Sequence, residues 1–437
     1  MDFLGLAQKY GTPLYVYDME KIKANFLDFK QAFAGRKSLI CYALKANSNL
    51  SILSLLAQCG SGADCVSIYE VKRALLAGIP KYKIIFSGVG KKSSEIKEAL
   101  ELDILFINVE SQAELMMIEQ IASSLQKVAR ISIRVNPNID AKTHPYISTG
   151  LSENKFGVDM DLAKQMYLYA YKSSTLEPIG IHFHIGSQLT DLSPISQSTQ
   201  KIAELARSLV ALGVDLRFFD VGGGVGICYE NEQVIALYDY AQSILKALNG
   251  LDLTIICEPG RRIVGEAGYL LSSVLYEKST PSKRFVIVDA GMNDLLRPAL
   301  YGAYHTIQAH QAQNQTQQNK STQDEPTQSA TKADIVGPVC ESADVFGKDI
   351  VLPPLRSGDI LSFGNAGAYG YSMSSHYNAR MRPAEVGVFV DGECECECLL
   401  KPRESFEDSV AEELKILHSH QATQNRDENT KNTKTKE

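Results

Sequence analysis

The chain has 437 residues, 44% of them hydrophobic and 22% charged, which is enough for two cored domains in a globular protein. Its net charge of −7 argues against a polyanionic partner such as nucleic acid. Met1 to Asp18 lacks the basic head and apolar run of a secretory signal, no membrane-spanning apolar stretch follows, and nine scattered cysteines fit a reducing cytoplasm better than a disulfide framework.

Residues 14–17 read as an opening strand. From residue 39 onward, short β-branched or apolar runs recur at 39–43, 63–66, 84–86, 104–109, 131–135, 179–185, 218–221 and 254–257. The segments between them are long enough for crossover helices. Residues 67–77 carry apolar side chains at helical spacing and stop at Gly78; residues 201–212 do the same and stop at Gly213. Strands alternating with helices predict a buried parallel sheet. Most runs end in polar or glycine-rich groups: Lys45, Asp64, Ser67, Ser87, Asn108, Asn136, His184 with Ser187, the 222–224 glycines and Glu258. A (β/α)₈ barrel over 36–270 would gather these ends at one rim, whereas an open sheet would use only a few.

After Gly265 the helices thin out. Strands at 274–277, 285–289, 359–363 and 384–390 predict a second, mostly β domain over 271–417, joined by the N-terminal segment 1–35. Residues 310–334 hold no Leu, Val, Ile or Phe and predict a disordered insertion; 418–437 reads as a disordered tail. Cys394, Cys396 and Cys398 alternate with Glu, the period of a strand face and not the CxxC of zinc sites.

Several constellations can carry chemistry. YALKAN (42–47) places Lys45 just past a strand, where desolvation would depress its pKa and free the amine for Schiff-base formation. Gly222, Gly223 and Gly224 let backbone amides approach an anion, but their register fits neither a dinucleotide fingerprint nor a P-loop. In HFHIGS (182–187) the two histidines fall on one side of a strand. They could pair on a metal or lie flat on an aromatic cofactor, and no other histidine ends a barrel strand, so no metal is predicted. EPGR (258–261) offers a carboxylate for a ring nitrogen and a guanidinium for a phosphate, unless Glu258 and Arg261 simply pair with each other.

Taken in order, YALKAN, ENKFGV, HFHIGSQ, GGGVGI, EPGR and CES resemble the fold-type III pyridoxal-phosphate (PLP) decarboxylases, and among them the branch acting on diaminopimelate. The similarity runs from about residue 6 to about 408, with the insertion and the tail outside it. It implies a barrel plus a β domain of the alanine racemase type. It also implies Lys45 as the PLP anchor, with Asp64, His184, Ser187, Gly222, Gly223, Gly224, Glu258, Pro259, Gly260, Arg261 and Tyr369 as further cofactor contacts. Glu258 would keep the pyridine nitrogen protonated, which favours decarboxylation; the related racemases place an arginine there. Lys45, His184, Glu258 and Cys340 would be the catalytic set, with Cys340 donating a proton. Arg261, Arg297, Tyr301, Glu341 and Tyr369 would hold the substrate. In this family Cys340 and Glu341 complete the site of a partner subunit, so the resemblance implies a cytoplasmic homodimer.

The implied activity is decarboxylation of meso-2,6-diaminopimelate to L-lysine and CO₂, the last step of lysine biosynthesis. The alternatives are an ornithine/arginine or carboxynorspermidine-type decarboxylase and, from another class, a non-catalytic PLP-binding or regulatory protein. Two departures stand out. The insertion lies close in sequence to Tyr301 and Cys340, and Ala343 stands where the family often has Gly.

Overall fold

A computed structural model describes residues 1–140, 155–311, 330–391 and 394–434, with the side chains of Asp391, Cys394 and residues 422–434 outside that description. Residues Glu153 and Asn154 of the ENKFGV motif and most of the polar insertion therefore lie outside the described residues.

A short helix, Phe3–Tyr10, precedes β1 (Leu14–Asp18). The chain then forms β2 (Ser38–Ala43), β3 (Gly62–Cys65), β4 (Ile84–Phe86), β5 (Phe106–Val109), β6 (Ala129–Arg134), β7 (Leu176–His182), β8 (Phe218–Asp220) and β9 (Thr254–Cys257). These last eight strands pair in parallel and in sequence order, and β9 returns to β2, closing a barrel. The closing register sets Ser38 opposite Ile255 and Ile40 opposite Cys257. Both faces of these strands are covered, so they read as continuous apolar runs. β7 starts and ends earlier than the apolar pattern predicts. Phe183 still bonds Asp220 across the barrel (3.1 Å), but the chain then turns out over the rim at Gly186, φ +155°.

Most crossover helices begin at side-chain caps. The Ser67 hydroxyl accepts from the Glu70 amide (3.2 Å) and starts Ile68–Leu76. The helix predicted from residue 201 begins earlier, as Leu192–Ala211, because Asp191 caps it at the Ser193 amide (2.9 Å). Pro194 is tolerated in its first turn, where no amide partner is needed.

The second unit contains β10 (Gly268–Ser279), β11 (Arg284–Val288), β12 (Ile307–His310), β13 (Thr331–Val336), β14 (Val345–Leu352), β15 (Ile360–Phe363), β16 (Ala384–Asp391) and β17 (Cys394–Lys401). Its strand order is β14-β13-β11-β10-β1-β16-β17, with β15 bridging β10 and β12. β1 lies between β10 and β16, so the first and last parts of the chain share one sheet. The following helix, Met19–Ala32, packs on the barrel. Phe26, Phe29 and Phe33 are buried there, with Phe29 and Phe33 against Tyr240 at 5.7 and 6.1 Å. Each such ring contributes about 1.5–3 kcal/mol through burial.

Three further segments differ from the sequence expectation. β13 begins at Thr331, inside the stretch predicted to lack structure. Its hydrophobic signal is short, with Ala333 and Ile335 its only buried apolar residues, and pairing with β11 and β14 fixes it. The expected C-terminal tail is helical, as the end of Phe406–Lys434. Its Glu, Lys, Gln and Ala content favours helix, with no Gly or Pro to stop it. β14 was not anticipated because Gly347, Lys348 and Asp349 interrupt its apolar pattern; Asp349 has φ +55°. Among the described residues, no helix is long and apolar enough to cross a membrane.

The sheet is stitched to the barrel rim just after Lys45. Ala46 O accepts from the Tyr369 amide (2.8 Å) and the Ser372 hydroxyl (3.1 Å), and Asn49 Nδ2 donates to Glu385 (3.1 Å). Gly367 lies so close to the end of the barrel that a Cβ there would come 1.9 Å from Val264 O. Gly367→Ala is therefore expected to destabilise the protein by about 1–3 kcal/mol through overpacking, read as a lowered melting temperature. An unshifted melting curve would contradict this close approach.

Candidate active site

A cavity of about 510 Å³ opens at the C-terminal rim of the barrel, lined by residues of both units. Lys45, His184, Ser187, Glu258, Arg261, Arg297, Tyr301 and Tyr369 all line it. The volume is in the range of small-molecule sites.

Lys45 follows β2 on a short turn, and its Nζ donates to Asp64 Oδ2 at 2.6 Å. Asp64 belongs to β3 and is fully buried. The sequence reading expected burial to lower the Lys45 pKa. Burial does act in that direction, but Asp64 and then Glu258 hold the amine charged and carry it above its ordinary value. That is a correction: a nearby carboxylate outweighs desolvation here.

Glu258 follows β9. Its Oε2 is 3.5 Å from His182 Nε2, and its Oε1 is buried without a hydrogen-bond partner. Burial would raise this carboxyl, yet the adjacent His182, with Lys45 and His184, brings it down to about 2. Asp220 moves the other way: burial and the neighbouring Glu258 push it well above the carboxylate range. A proton on this pair therefore sits on Asp220 and leaves Glu258 ionised. The sequence grouped His182 with His184; the structure groups it with Asp220 and Glu258, whose ligand atoms lie within 4.8 Å of one another.

Burial pushes the His184 imidazole well below its ordinary value, with Arg134 and Lys45 adding to the effect. The ring is thus neutral, and its Nδ1 accepts from the Gly223 amide at 3.2 Å. The Gly222 amide is likewise turned inward, to Asp220 at 2.9 Å. Among the described residues the Gly224 amide makes no hydrogen bond. Glycine is required at 223 because a Cβ would lie 2.1 Å from Glu258 O, and at 224 because φ is +104°.

Arg261 does not pair with Glu258. It donates to Tyr229 OH (2.6 Å) and Ser187 Oγ (3.1 Å), and its guanidinium lies 4.9 Å over the Tyr369 ring. Its Nε is buried without a partner. Arg297 and Tyr301 enter from the helix Arg297–Tyr301 of the second unit. Cys340 and Glu341 do not reach this cavity. Both are exposed; the Cys340 amide donates to Asn378 (2.8 Å), and Glu341 accepts from Tyr377 OH (3.3 Å).

The sequence reading missed Arg134, Phe156 and the 88–90 loop, which also line the cavity. Arg134 ends β6, pairs with buried Glu110 at 2.9 Å and stacks 4.6 Å over Phe156. The two glycines after β4 were the available signal for the loop. Arg134 gave none, since its partner Glu110 lies at another strand end.

The family model "Pyridoxal-dependent decarboxylase, pyridoxal binding domain" matches residues 19–265. The chain is 62% identical over 383 residues to a diaminopimelate decarboxylase of Helicobacter pylori, covering 88% of this chain and 92% of that protein. It is 55% identical over 418 residues to that of Campylobacter jejuni, covering 95% and 100%. The structure is similar to the crystal structure of diaminopimelate decarboxylase from Helicobacter pylori complexed with L-lysine, with a TM-score of 0.87 and 58% identity over 95% of this chain and 100% of that one.

Replacing Asp64 by Asn removes the principal counter-charge of Lys45, so the amine should lose its proton at lower pH. Labelling by a small amine-reactive reagent, mapped to Lys45 by mass spectrometry after bound small molecules are removed, should then reach half its plateau at lower pH in Asp64→Asn. An unchanged profile would show that Asp64 does not hold the charge.

Proposed function

The chain belongs to the pyridoxal-dependent decarboxylase family, and from that premise we propose how its own residues carry the reaction. It decarboxylates meso-2,6-diaminopimelate to L-lysine and CO₂, the last step of lysine biosynthesis, with PLP as cofactor. The observation that carries the residue assignment is one cavity lined by the Lys45 amine, the buried Glu258 carboxyl and two arginines that have no carboxylate partner among the described residues.

The residues fit PLP. A partnerless Glu258 oxygen and a partnerless Arg261 Nε are both buried, as a site for a ring N–H and a phosphate requires. Lys45 would hold the cofactor covalently through Nζ, with Asp64 orienting the amine. His184 would offer a neutral, flat ring to the pyridine. Glu258, kept ionised by His182, would hold the proton on the ring nitrogen. Ser187, Arg261, Tyr369 and the glycine turn, chiefly Gly224, with Pro259 and Gly260 shaping its neighbour, hold the phosphate. When bound, PLP supplies the electron sink for the pair released as the C–C bond to CO₂ breaks.

Arg297, with Arg261, Tyr301 and Tyr369, grips the distal end of the substrate, the end that becomes the amino-acid group of L-lysine. Two charge-assisted hydrogen bonds to one carboxylate give direction as well as affinity. Cys340 then delivers a proton from Sγ to the carbon that has lost CO₂, and Glu341 binds the distal ammonium. Both are exposed in their own chain, away from its cavity. That placement supports a homodimer in which they complete the partner's site. We place the reaction in the cytoplasm, where the cysteines described, all free thiols, stay reduced.

Turnover should favour meso-diaminopimelate over ornithine by ~10⁴–10⁵-fold, since the charged distal site is left unmatched by the diamino monoacid. Ornithine or carboxynorspermidine outrunning it would overturn the substrate assignment. Mixing inactive Lys45→Ala and Cys340→Ala chains should restore about a quarter of native activity, because randomly reassorted dimers regain one intact site. If the mixture stays inactive, the shared-site dimer is wrong.

A further inference from the structure

Arg297 is buried and carries no carboxylate counter-ion among the described residues. Its partners are neutral. Nη1 lies 3.1 Å from His305 Nε2, and the guanidinium sits 4.7 Å over the Tyr229 ring. Tyr229 in turn accepts from Arg261 through its hydroxyl at 2.6 Å, so one tyrosine steadies both arginines. His305 is itself buried, and its Nδ1 lies 2.8 Å from Gly364 O.

The hydrogen-bond chemistry fixes the state of this histidine. A carbonyl oxygen only accepts, so Nδ1 carries the proton. A guanidinium only donates, so Nε2 presents its lone pair. Both contacts are satisfied by one neutral tautomer and by no other form. Burial, with Arg297 beside the ring, pushes His305 down to about 3, so the imidazole stays neutral through the physiological range. The sequence brings it there by a tight reversal: Arg297–Tyr301 ends at Gly302, φ +60°, and the chain returns His305 beneath Arg297.

We propose that His305 is a positioning residue that holds Arg297 in place without neutralising it, so that the full charge of Arg297 selects ligands carrying a distal carboxylate. This rests on the assignment of Arg297 to the distal end of the substrate. An acidic residue at 305 would anchor Arg297 as well, but it would cancel the charge the substrate needs. The neutral imidazole orients the fork and leaves the charge unspent. Desolvation makes such an uncompensated cation a strong acceptor site for an anion.

The test uses holoenzyme and two ligands that differ only in the distal carboxylate, L-lysine and pentane-1,5-diamine, with binding measured by calorimetry. Native protein should prefer L-lysine on the order of 10–100-fold, the value of one charge-assisted contact. In His305→Glu the preference should fall to within about threefold of unity, as an internal ion pair replaces the ligand's. His305→Leu, which removes the support without adding charge, should cut the preference by at least about fivefold. His305→Gln, which keeps an acceptor near Nε2, should retain it.

Equal weakening of both ligands in the Glu and Leu variants would mark a merely structural role and overturn the proposal. A native-like preference in either variant would overturn it too, while leaving Arg297 as the distal-carboxylate group. Should His305→Glu fail to fold, the Leu and Gln variants still decide. Native protein that binds both ligands equally would sink the Arg297 assignment itself, and this proposal with it.

Discussion

Closing eight parallel strands into a barrel brings all their C-terminal ends to one rim, and the chemistry of this protein depends on that closure. The closing pair is β2 with β9, registered so that Ile40 faces Cys257. Lys45 and Glu258 follow these strands from opposite ends of the barrel sequence, yet line one cavity. β3 adds Asp64 beside Lys45, and β7 and β8 add His182 and Asp220 beside Glu258. No short-range interaction could assemble that set.

The rim is electrostatically divided. On one side cations are matched: Lys45 by Asp64, Arg134 by Glu110 with both partners buried, and Lys91 by Glu114. On the other side, among the described residues, Arg261 and Arg297 are held only by hydroxyls, aromatic faces and a neutral imidazole. Buried charges without partners are costly in a folded chain and are expected where a ligand supplies the opposite charge. Dipoles and charges fixed in advance need no rearrangement when a charged ligand arrives. In the proposed reading the two arginines would receive anionic groups and the Glu258 carboxylate a protonated ring nitrogen.

The β unit completes the site and does more than cover it. Tyr369 takes φ +58° while its amide bonds Ala46 O, one residue past Lys45. Close contact between Gly367 and Gly268, where a Cβ on Gly268 would lie 2.2 Å from the Gly367 Cα, holds that segment down. Arg297 and His305 come from the same unit. The cavity therefore exists only when both units are docked, and in the proposed homodimer the exposed Cys340 and Glu341 would extend the same logic to a second chain.

Much of this was legible in the residues. Strand periodicity marked all eight barrel strands, because buried parallel strands must be apolar on both faces, and their polar C-terminal ends foretold a rim. The order of motifs foretold the chemistry. The sequence could not show β13 or β14, whose short, interrupted apolar patterns become strands only through neighbours far along the chain. Nor could it show that Lys45 is held charged by Asp64, that His182 meets Glu258 and Asp220, or that His305 lies against Arg297. Local sequence determines which residues are apolar, which end a strand and which side chains bear charge. The sign and partner of each buried charge depend on distances across the barrel and between the two units, and only the tertiary structure decided them.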